Sequence, residues 1–471
     1  MIQKPSISTF KNAFVANFDF NPTIDQQVAI DKFSNFITST TELEIFVLKG
    51  YAGTGKTTLI SKLIKTLNDF AIKSVSLAPT GRAAKVLSSY SREKANTIHR
   101  KIYFQDISPE QSMSFSLGKN LHKNTIFLVD EASMIASYSS AERDLLHDIV
   151  EYVYSAENCK LVFIGDVGQL PPIGMEESPA LSINHLKSTF SFDIILAELN
   201  EIVRQKGESG ILTLATQLRD FSEDIPLLFT NNSDVIPING TELQEELESC
   251  INNYGQEEVM VVSRSNKRAN LFNQQIRHRI LWQEDDLNAG DVLMVGKNNY
   301  FWVDSKSDIG FIANGEVIEI LKIIRREELY GFEFADVLVR FIDYPQIPEV
   351  ELKININSIR HEGPSLPREI MAQLFYTIVR EEYPFERNKK VRNKLVMTNP
   401  YFQALQVKFA YAVTCHKAQG GQWDAIFIDH GYFLEEMWNK EYMRWLYTAV
   451  TRAKEKLYLV NFAPNFVGEA D

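Results

Sequence analysis

The sequence predicts an α/β protein of two lobes, each a mostly parallel sheet covered by helices, carrying a β-hairpin insert and a β-rich inserted domain. Three observations carry this. A short apolar strand runs straight into a glycine-rich loop and an amphipathic helix over residues 44–67. Apolar runs alternate with helical segments in two separate stretches, the pattern of a parallel sheet with helices on both faces. Residues 291–404 are instead rich in strand patterns, several with period-2 alternation, which suits a small barrel-like β module.

Taken in order, Glu44–Leu48 is the first strand. It leads into Gly50-Tyr-Ala-Gly-Thr-Gly-Lys-Thr57, and the following helix, Thr58–Leu67, sets Leu59, Ile60, Leu63 and Ile64 on one face. Ser74–Ala78, Ile126–Val129 and Leu161–Ile164 read as further buried strands of the first lobe. Ser112–Leu117 alternates strictly and is preceded by Ile102-Tyr-Phe104 and a Pro-containing turn, which predicts a protruding hairpin within residues 101–122. Val259–Val262, Ala425–Asp429 and Lys456–Val460 are the strands of the second lobe. The insert holds Asp291–Val295, Val317–Ile324, Val337–Ile342, an alternating Leu352, Ile354, Ile356 and one helix near Arg368–Arg380. Asn314-Gly315-Glu316 reads as a hairpin turn. A basic run, Arg387-Asn-Lys-Lys-Val-Arg-Asn-Lys394, reads as a solvated face. The expected division is 1–195 for the first lobe, 196–290 with 405–471 for the second, and 291–404 for the insert.

With 471 residues, 45% hydrophobic and 23% charged, the chain has the profile of a globular protein with room for several domains. The first twenty residues hold no continuous apolar core, which argues against a signal peptide, and no run approaches the length of a membrane span. Cys159, Cys250 and Cys415 are scattered without metal-ligand spacing, so an intracellular, cytoplasmic setting is expected. The net charge of −12 speaks against tight non-specific duplex binding. It leaves room for a strand held in a locally positive channel.

Gly50-x4-Gly55-Lys56-Thr57 is a P-loop. Its glycines let backbone N–H groups curl around phosphates, Lys56 reaches the β and γ oxygens, and the Thr57 hydroxyl ligates magnesium. ATP and magnesium are the expected cofactors. Ile126–Val129 ends in Asp130 and Glu131; Asp130 suits the magnesium and Glu131 the polarisation of an attacking water. Leu161–Ile164 is followed by Gly-Asp166-x2-Gln169-Leu-Pro-Pro172, and the Gln169 amide can sense the γ-phosphate or order the water.

The set GYAGTGKT (50–57), APTGRAA (78–84), TIH (97–99), DEASM (130–134), GDVGQLPP (165–172), VRQ (203–205), VTCHKAQG (413–420) and YTAVTRAK (447–454) resembles superfamily 1 DNA helicases, and among them the RecD-like and phage Dda-like branch. The motifs stand in family order across nearly the whole chain. The resemblance implies two RecA-like lobes, an ATP hydrolase working as a DNA helicase, and 5′→3′ travel. It implies nucleotide contacts from Gly50, Ala52, Gly53, Thr54, Gly55, Lys56, Thr57, Thr58 and Gly420. Gln26, with Gln27 as its neighbouring alternative, resembles the glutamine that recognises adenine. Arg204 and Arg452 resemble the arginines that reach the γ-phosphate, which would make Lys56, Glu131, Gln169, Arg204 and Arg452 the catalytic set.

Strand contacts implied in the same way come from Thr80, Arg82, Thr97, His99, Thr414, His416 and Lys417, polar groups suited to phosphates that are released at each step. The 101–122 hairpin resembles the pin that splits the duplex, and the 291–404 insert resembles the family's β-rich, SH3-like barrel. Tyr103, Phe104 and Phe115 are candidate stacking residues at the fork; packing of the hairpin onto its lobe explains them equally well. The expected partners are single-stranded DNA and a tailed or forked duplex, engaged by a monomer. An RNA helicase, a protein-displacing translocase and a binding module without ATPase are the rival readings.

Overall fold

The computed structural model describes residues 5–106, 114–137, 144–203, 209–219, 233–304, 310–463 and 466. Eighteen strands in these residues form three sheets and a hairpin. Those of the first lobe are β1 (Glu44–Gly50), β2 (Lys73–Ala78), β3 (Asn96–Thr97), β6 (Thr125–Val129), β7 (Lys160–Gly165) and β8 (Asp193–Leu199), in the order β3-β2-β6-β7-β1-β8, all parallel. Between β3 and β6 lies the hairpin of β4 (Tyr103–Asp106) and β5 (Ser114–Leu117). Residues 101 and 102 of the expected hairpin segment belong instead to the short helix Ile98–Ile102.

Alternation along β1 explains why this sheet is covered on both faces. Phe46 and Leu48 pack with Phe10, Phe14, Phe33 and Leu63 of the helices on one side. Ile45 and Val47 pack with Ile149, Val153 and Leu186 on the other. Burying each such side chain stabilises by about 1.5–3 kcal/mol. β8 pairs with β1 over its full length, Glu44↔Asp193 to Gly50↔Leu199, so the first sheet runs past residue 195, where the sequence reading ended this lobe.

The second lobe holds β9 (Val235–Ile238), β10 (Val259–Ser263), β16 (Ala412–Thr414), β17 (Trp423–Asp429) and β18 (Ala453–Val460), parallel in the order β16-β10-β17-β18-β9. The insert is an antiparallel sheet of β11 (Val292–Val295), β12 (Val317–Leu329), β13 (Phe332–Phe341), β14 (Val350–Asn355) and β15 (Val407–Phe409), ordered β14-β13-β12-β11-β15. Its two edges meet through the bridge Ile354↔Leu405. Gly315, at φ +86°, turns the chain into β12, as the Asn-Gly pair predicts. The helices Arg368–Glu382 and Lys389–Met397 pack on the far end of β12 and β13 through Leu374, Ile378 and Val396 against Tyr330, Phe332 and Phe334. Most of the basic run is thus the start of a helix.

The three sheets meet at defined contacts. Leu170 N–H donates to Thr448 Oγ1 at 2.8 Å, and Gln419 Nε2 donates to Leu170 O at 2.7 Å, tying lobe to lobe. The insert is held to the first lobe by the buried Arg100–Glu316 ion pair, by Arg100 lying 4.3 Å above the Tyr344 ring, and by Lys85, 3.5 Å from Asp343. No helix among the described residues is long and apolar enough to cross a membrane.

Candidate nucleotide site and strand channel

Open parallel sheets present ligands at the carboxyl ends of their strands, and the first lobe does so. β1 ends in the P-loop, β6 in Asp130-Glu131 and β7 in Asp166. Gly53 and Gly55 hold φ of +77° and +83°, where a side chain is strained. Gly55 begins the helix Lys56–Asp69 without a side-chain cap, so first-turn N–H groups are left for an anion. The helix Ile24–Thr38, by contrast, is closed by a full capping box from Thr23 and Gln26.

Lys56 Nζ donates to Gly50 O at 2.6 Å and Tyr51 O at 2.9 Å, and stands 3.6 Å from Asp166 Oδ2. Thr54 is buried, its hydroxyl donating to Tyr51 O at 2.8 Å. Thr57 is exposed and Thr58 half-buried in the first turn. Gln26 donates from Nε2 to Thr54 O at 3.3 Å, whereas Gln27 bonds back to Pro22 O, so Gln26 is the glutamine at the P-loop.

Asp130 is held at both oxygens, Oδ1 by Glu131 N–H at 2.8 Å and Oδ2 by the Tyr90 hydroxyl at 2.5 Å. Tyr90 sits near the end of the helix Gly81–Ser91, whose N-cap is Thr80. Glu131 has φ +51°, a backbone position costing about 1–3 kcal/mol that clusters at functional sites. Burial pushes its carboxyl above the ordinary 4.5, with Arg452 opposing the shift and Asp130 adding to it. Gln169 is buried and its Oε1 has no hydrogen-bond partner among the described residues. An uncapped P-loop helix, two convergent carboxylates and an orphaned amide oxygen fit a magnesium nucleotide, with Thr57 and Asp130 as the residues to hold the metal.

The second lobe closes on this site. Arg452 is buried, bonded to Thr448 O at 3.0 Å and Gly421 O at 3.2 Å, and its Nη1 lies 3.8 Å from Glu131 Oε1. The buried Tyr447 hydroxyl donates to Asp166 Oδ2 at 2.8 Å and accepts from Ala52 N–H at 2.7 Å. Arg219 donates to Ala52 O at 2.7 Å and lies 5.0 Å from the Tyr51 ring. Arg204 lies outside the described residues; its neighbour Val203 donates its N–H to Gly53 O at 3.0 Å. Gly420, at φ +74°, lies against Ala83 and Thr80, where a Cβ would meet Ala83 Cβ at 2.7 Å. Sequence reasoning left Tyr90, Asp166, Arg219 and Tyr447 without roles. Asp166 and Tyr447 stand within quoted motifs, and nothing local marks Tyr90 or Arg219.

Thr80, Arg82, His416 and Lys417 line one cavity of about 180 Å³ between the two lobes and the insert. Arg82 stacks 4.3 Å above the buried Trp423 ring, another residue passed over in the sequence. Burial lowers the proton affinity of both His416 and Lys417. Thr414 lines a neighbouring cavity of about 170 Å³ with His416. Thr97 and His99 line neither cavity. Thr97 is buried and caps the helix Ile98–Ile102 through Arg100 N–H, and His99 packs 5.5 Å from the Tyr103 ring. Phe104 and Phe115 lie on β4 and β5, with Phe104 opposite Ser116; their side chains lie outside the described residues.

Residues 25–236 match the family described as an AAA domain, and residues 409–460 match the UvrD-like helicase C-terminal domain. An uncharacterised protein of Acanthamoeba polyphaga mimivirus is 23% identical over 92% of this chain and 98% of its own length. The ATP-dependent DNA helicase Dda of Enterobacteria phage T4 is 25% identical over 58% of this chain and 62% of its own length. The RecBCD enzyme subunit RecD of Buchnera aphidicola is 29% identical over 44% of this chain and 40% of its own length. The chain thus spans less than two thirds of both named helicases. A Bacteroides Pif1 helicase, solved with ADP-AlF3 and single-stranded DNA, aligns over 95% of each chain at 16% identity and a TM-score of 0.47. Site and matches together describe a two-lobed P-loop protein, and its family matches and relatives are those of superfamily 1 helicases of the RecD and Dda type.

Proposed function

We propose that the chain hydrolyses ATP to travel 5′→3′ on single-stranded DNA and to separate the strands of a tailed duplex. Arg452 of the second lobe, set beside Glu131 of the first, carries this reading. A cation supplied across a cleft makes hydrolysis depend on closure, and closure is the stroke of a motor. Magnesium, held by Thr57 and Asp130, would neutralise charge on the phosphates. Lys56 and the P-loop amides orient the γ-phosphate, Gln169 and Glu131 align and polarise the water, and Arg452 with Arg204 stabilises the charge that develops.

The strand is gripped on both sides of one channel, by Thr80 and Arg82 of the first lobe and His416 and Lys417 of the second. When the lobes move apart one grip slides, and when they close the other does. These are contacts suited to backbone, so no base preference is expected. The β4–β5 hairpin is the proposed pin and the insert, read as an SH3-like barrel, covers the channel. ATP turnover measured with and without a poly-dT oligonucleotide tests the coupling. Strong stimulation in the wild type and none in Lys56→Ala is expected; turnover indifferent to the strand would overturn the motor.

A further inference from the structure

The insert carries a cluster of cations that the nucleotide site and the channel leave unused. Several cations elsewhere in this domain are neutralised. Arg325 and Lys353 pair with Glu327 and Asp336, Arg340 with Glu257 and Glu319, and Arg360 with Asp286 and Glu333. Arg387, Lys389, Lys390, Arg392 and Lys394 differ. Among the described residues none of the five pairs with a carboxylate, all but Arg392 are exposed, and Arg392 Nε is buried without a partner. Lys390 and Lys394 stand four apart on the helix Lys389–Met397 and so share a face.

Phe385, in the turn just before these cations, is 93% exposed. A large apolar ring left in water beside unpaired cations in a chain of net charge −12 marks an interaction surface. Its place in the fold separates it from the channel. The insert meets the first lobe through Phe311, Glu316, Asp343 and Tyr344, at the start of β12 and the end of β13. The helical pair sits at the opposite end, where Glu382 accepts from the Tyr330 hydroxyl at 2.7 Å. A strand of thirteen residues places these ends roughly 40 Å apart.

We propose that the turn and helix over residues 385–394 form a second site for single-stranded nucleic acid, outside the channel. The cations hold phosphates and Phe385 stacks a base, the combination that binds single strands without sequence preference. A duplex hides its base faces and would leave the ring idle. The proposal rests on the motor reading for its choice of nucleic acid as the polyanion, and it implies that a long or displaced strand touches the protein twice.

Fluorescence anisotropy over a salt series tests it, with a dT oligonucleotide of about 8 nucleotides to fill the channel and one of about 40 to reach both sites. For Lys389→Ala/Lys390→Ala/Lys394→Ala, the slope of log K against log salt on the long strand should fall by about 2, near 0.7 per lost contact. Phe385→Ala should weaken long-strand binding by roughly fivefold or more with the slope kept. Short-strand binding, and ATPase stimulation by the short strand, should match wild type in both variants. An unchanged long-strand slope in the triple variant would overturn the site. An equal loss for Phe385→Ala on a blunt duplex would overturn its assignment to single strands. Failure of the wild type to bind the short strand would count against the motor reading instead, so the two failures are distinguishable.

Discussion

Glu131 and Arg452 face each other across the cleft between the lobes, with Arg452 Nη1 3.8 Å from Glu131 Oε1. Neither residue completes the site alone. Glu131 stands in a strained backbone position beside Asp130, and Arg452 is held by carbonyl groups of its own lobe. On the proposed reading, a buried guanidinium carried by one lobe and a carboxylate on the other make catalysis a property of the closed cleft.

Arg452→Lys keeps the charge and shortens the reach. Because the planar fork is lost, kcat for ATP should fall by about 10³-fold or more, while the affinity for a fluorescent ATP analogue changes little. Equal losses in affinity and turnover would show that Arg452 only holds the lobe together.

The pH profile follows from Glu131. Its carboxyl is raised above 4.5, chiefly by burial, and a base works only when ionised. Turnover should therefore fall as pH drops through this raised value, placing the acid limb of kcat above the ordinary carboxylate range. Glu131→Gln should lower kcat by about 10²–10⁴-fold and abolish that limb. A limb that persists in the variant would belong to another group.

Tyr90 joins the helix Gly81–Ser91 to Asp130, the carboxylate proposed to hold magnesium, since its hydroxyl bonds Asp130 Oδ2 at 2.5 Å. Groups that orient a metal ligand typically contribute 10–100-fold in metal affinity. Tyr90→Phe should raise the magnesium concentration for half-maximal ATPase by about tenfold and weaken Mn²⁺ binding, followed by electron paramagnetic resonance, in the same proportion. Identical titrations for the two proteins would reduce Tyr90 to packing.

Arg100 and Glu316 form the buried pair between the first lobe and the insert. Arg100→Met strands a buried carboxylate and should cost about 3–5 kcal/mol in urea denaturation. Adding Glu316→Leu should recover most of that loss. A double variant as unstable as the single one would mean that the pair contributes more than compensation of its own burial.

The nucleotide site was legible where its chemistry is local. The P-loop, Asp130-Glu131 and Gln169 each follow an apolar strand within a few residues, so period and composition find them. Tyr90, Tyr447 and Arg219 reach the site from 30 or more residues away in sequence, through tertiary contacts that no periodicity encodes. The lobe boundary was misjudged because β8 mixes exposed and half-buried residues at the sheet edge, which blurs the apolar signal. Thr97 is expected as a strand contact, and in the fold its hydroxyl caps the helix Ile98–Ile102. The basic run reads as a solvated face, and Arg387, Lys389, Lys390 and Lys394 are exposed; that none of them pairs with a carboxylate among the described residues shows only in the coordinates.

Unwinding of one short DNA duplex bearing either a 5′ or a 3′ single-stranded tail, with ATP and magnesium at low salt, tests the central claim most directly. Strand separation of the 5′-tailed substrate alone, abolished by Lys56→Ala, is the predicted result. Separation of the 3′-tailed substrate alone would contradict the polarity, and unwinding that survives Lys56→Ala would contradict the ATP-driven motor itself.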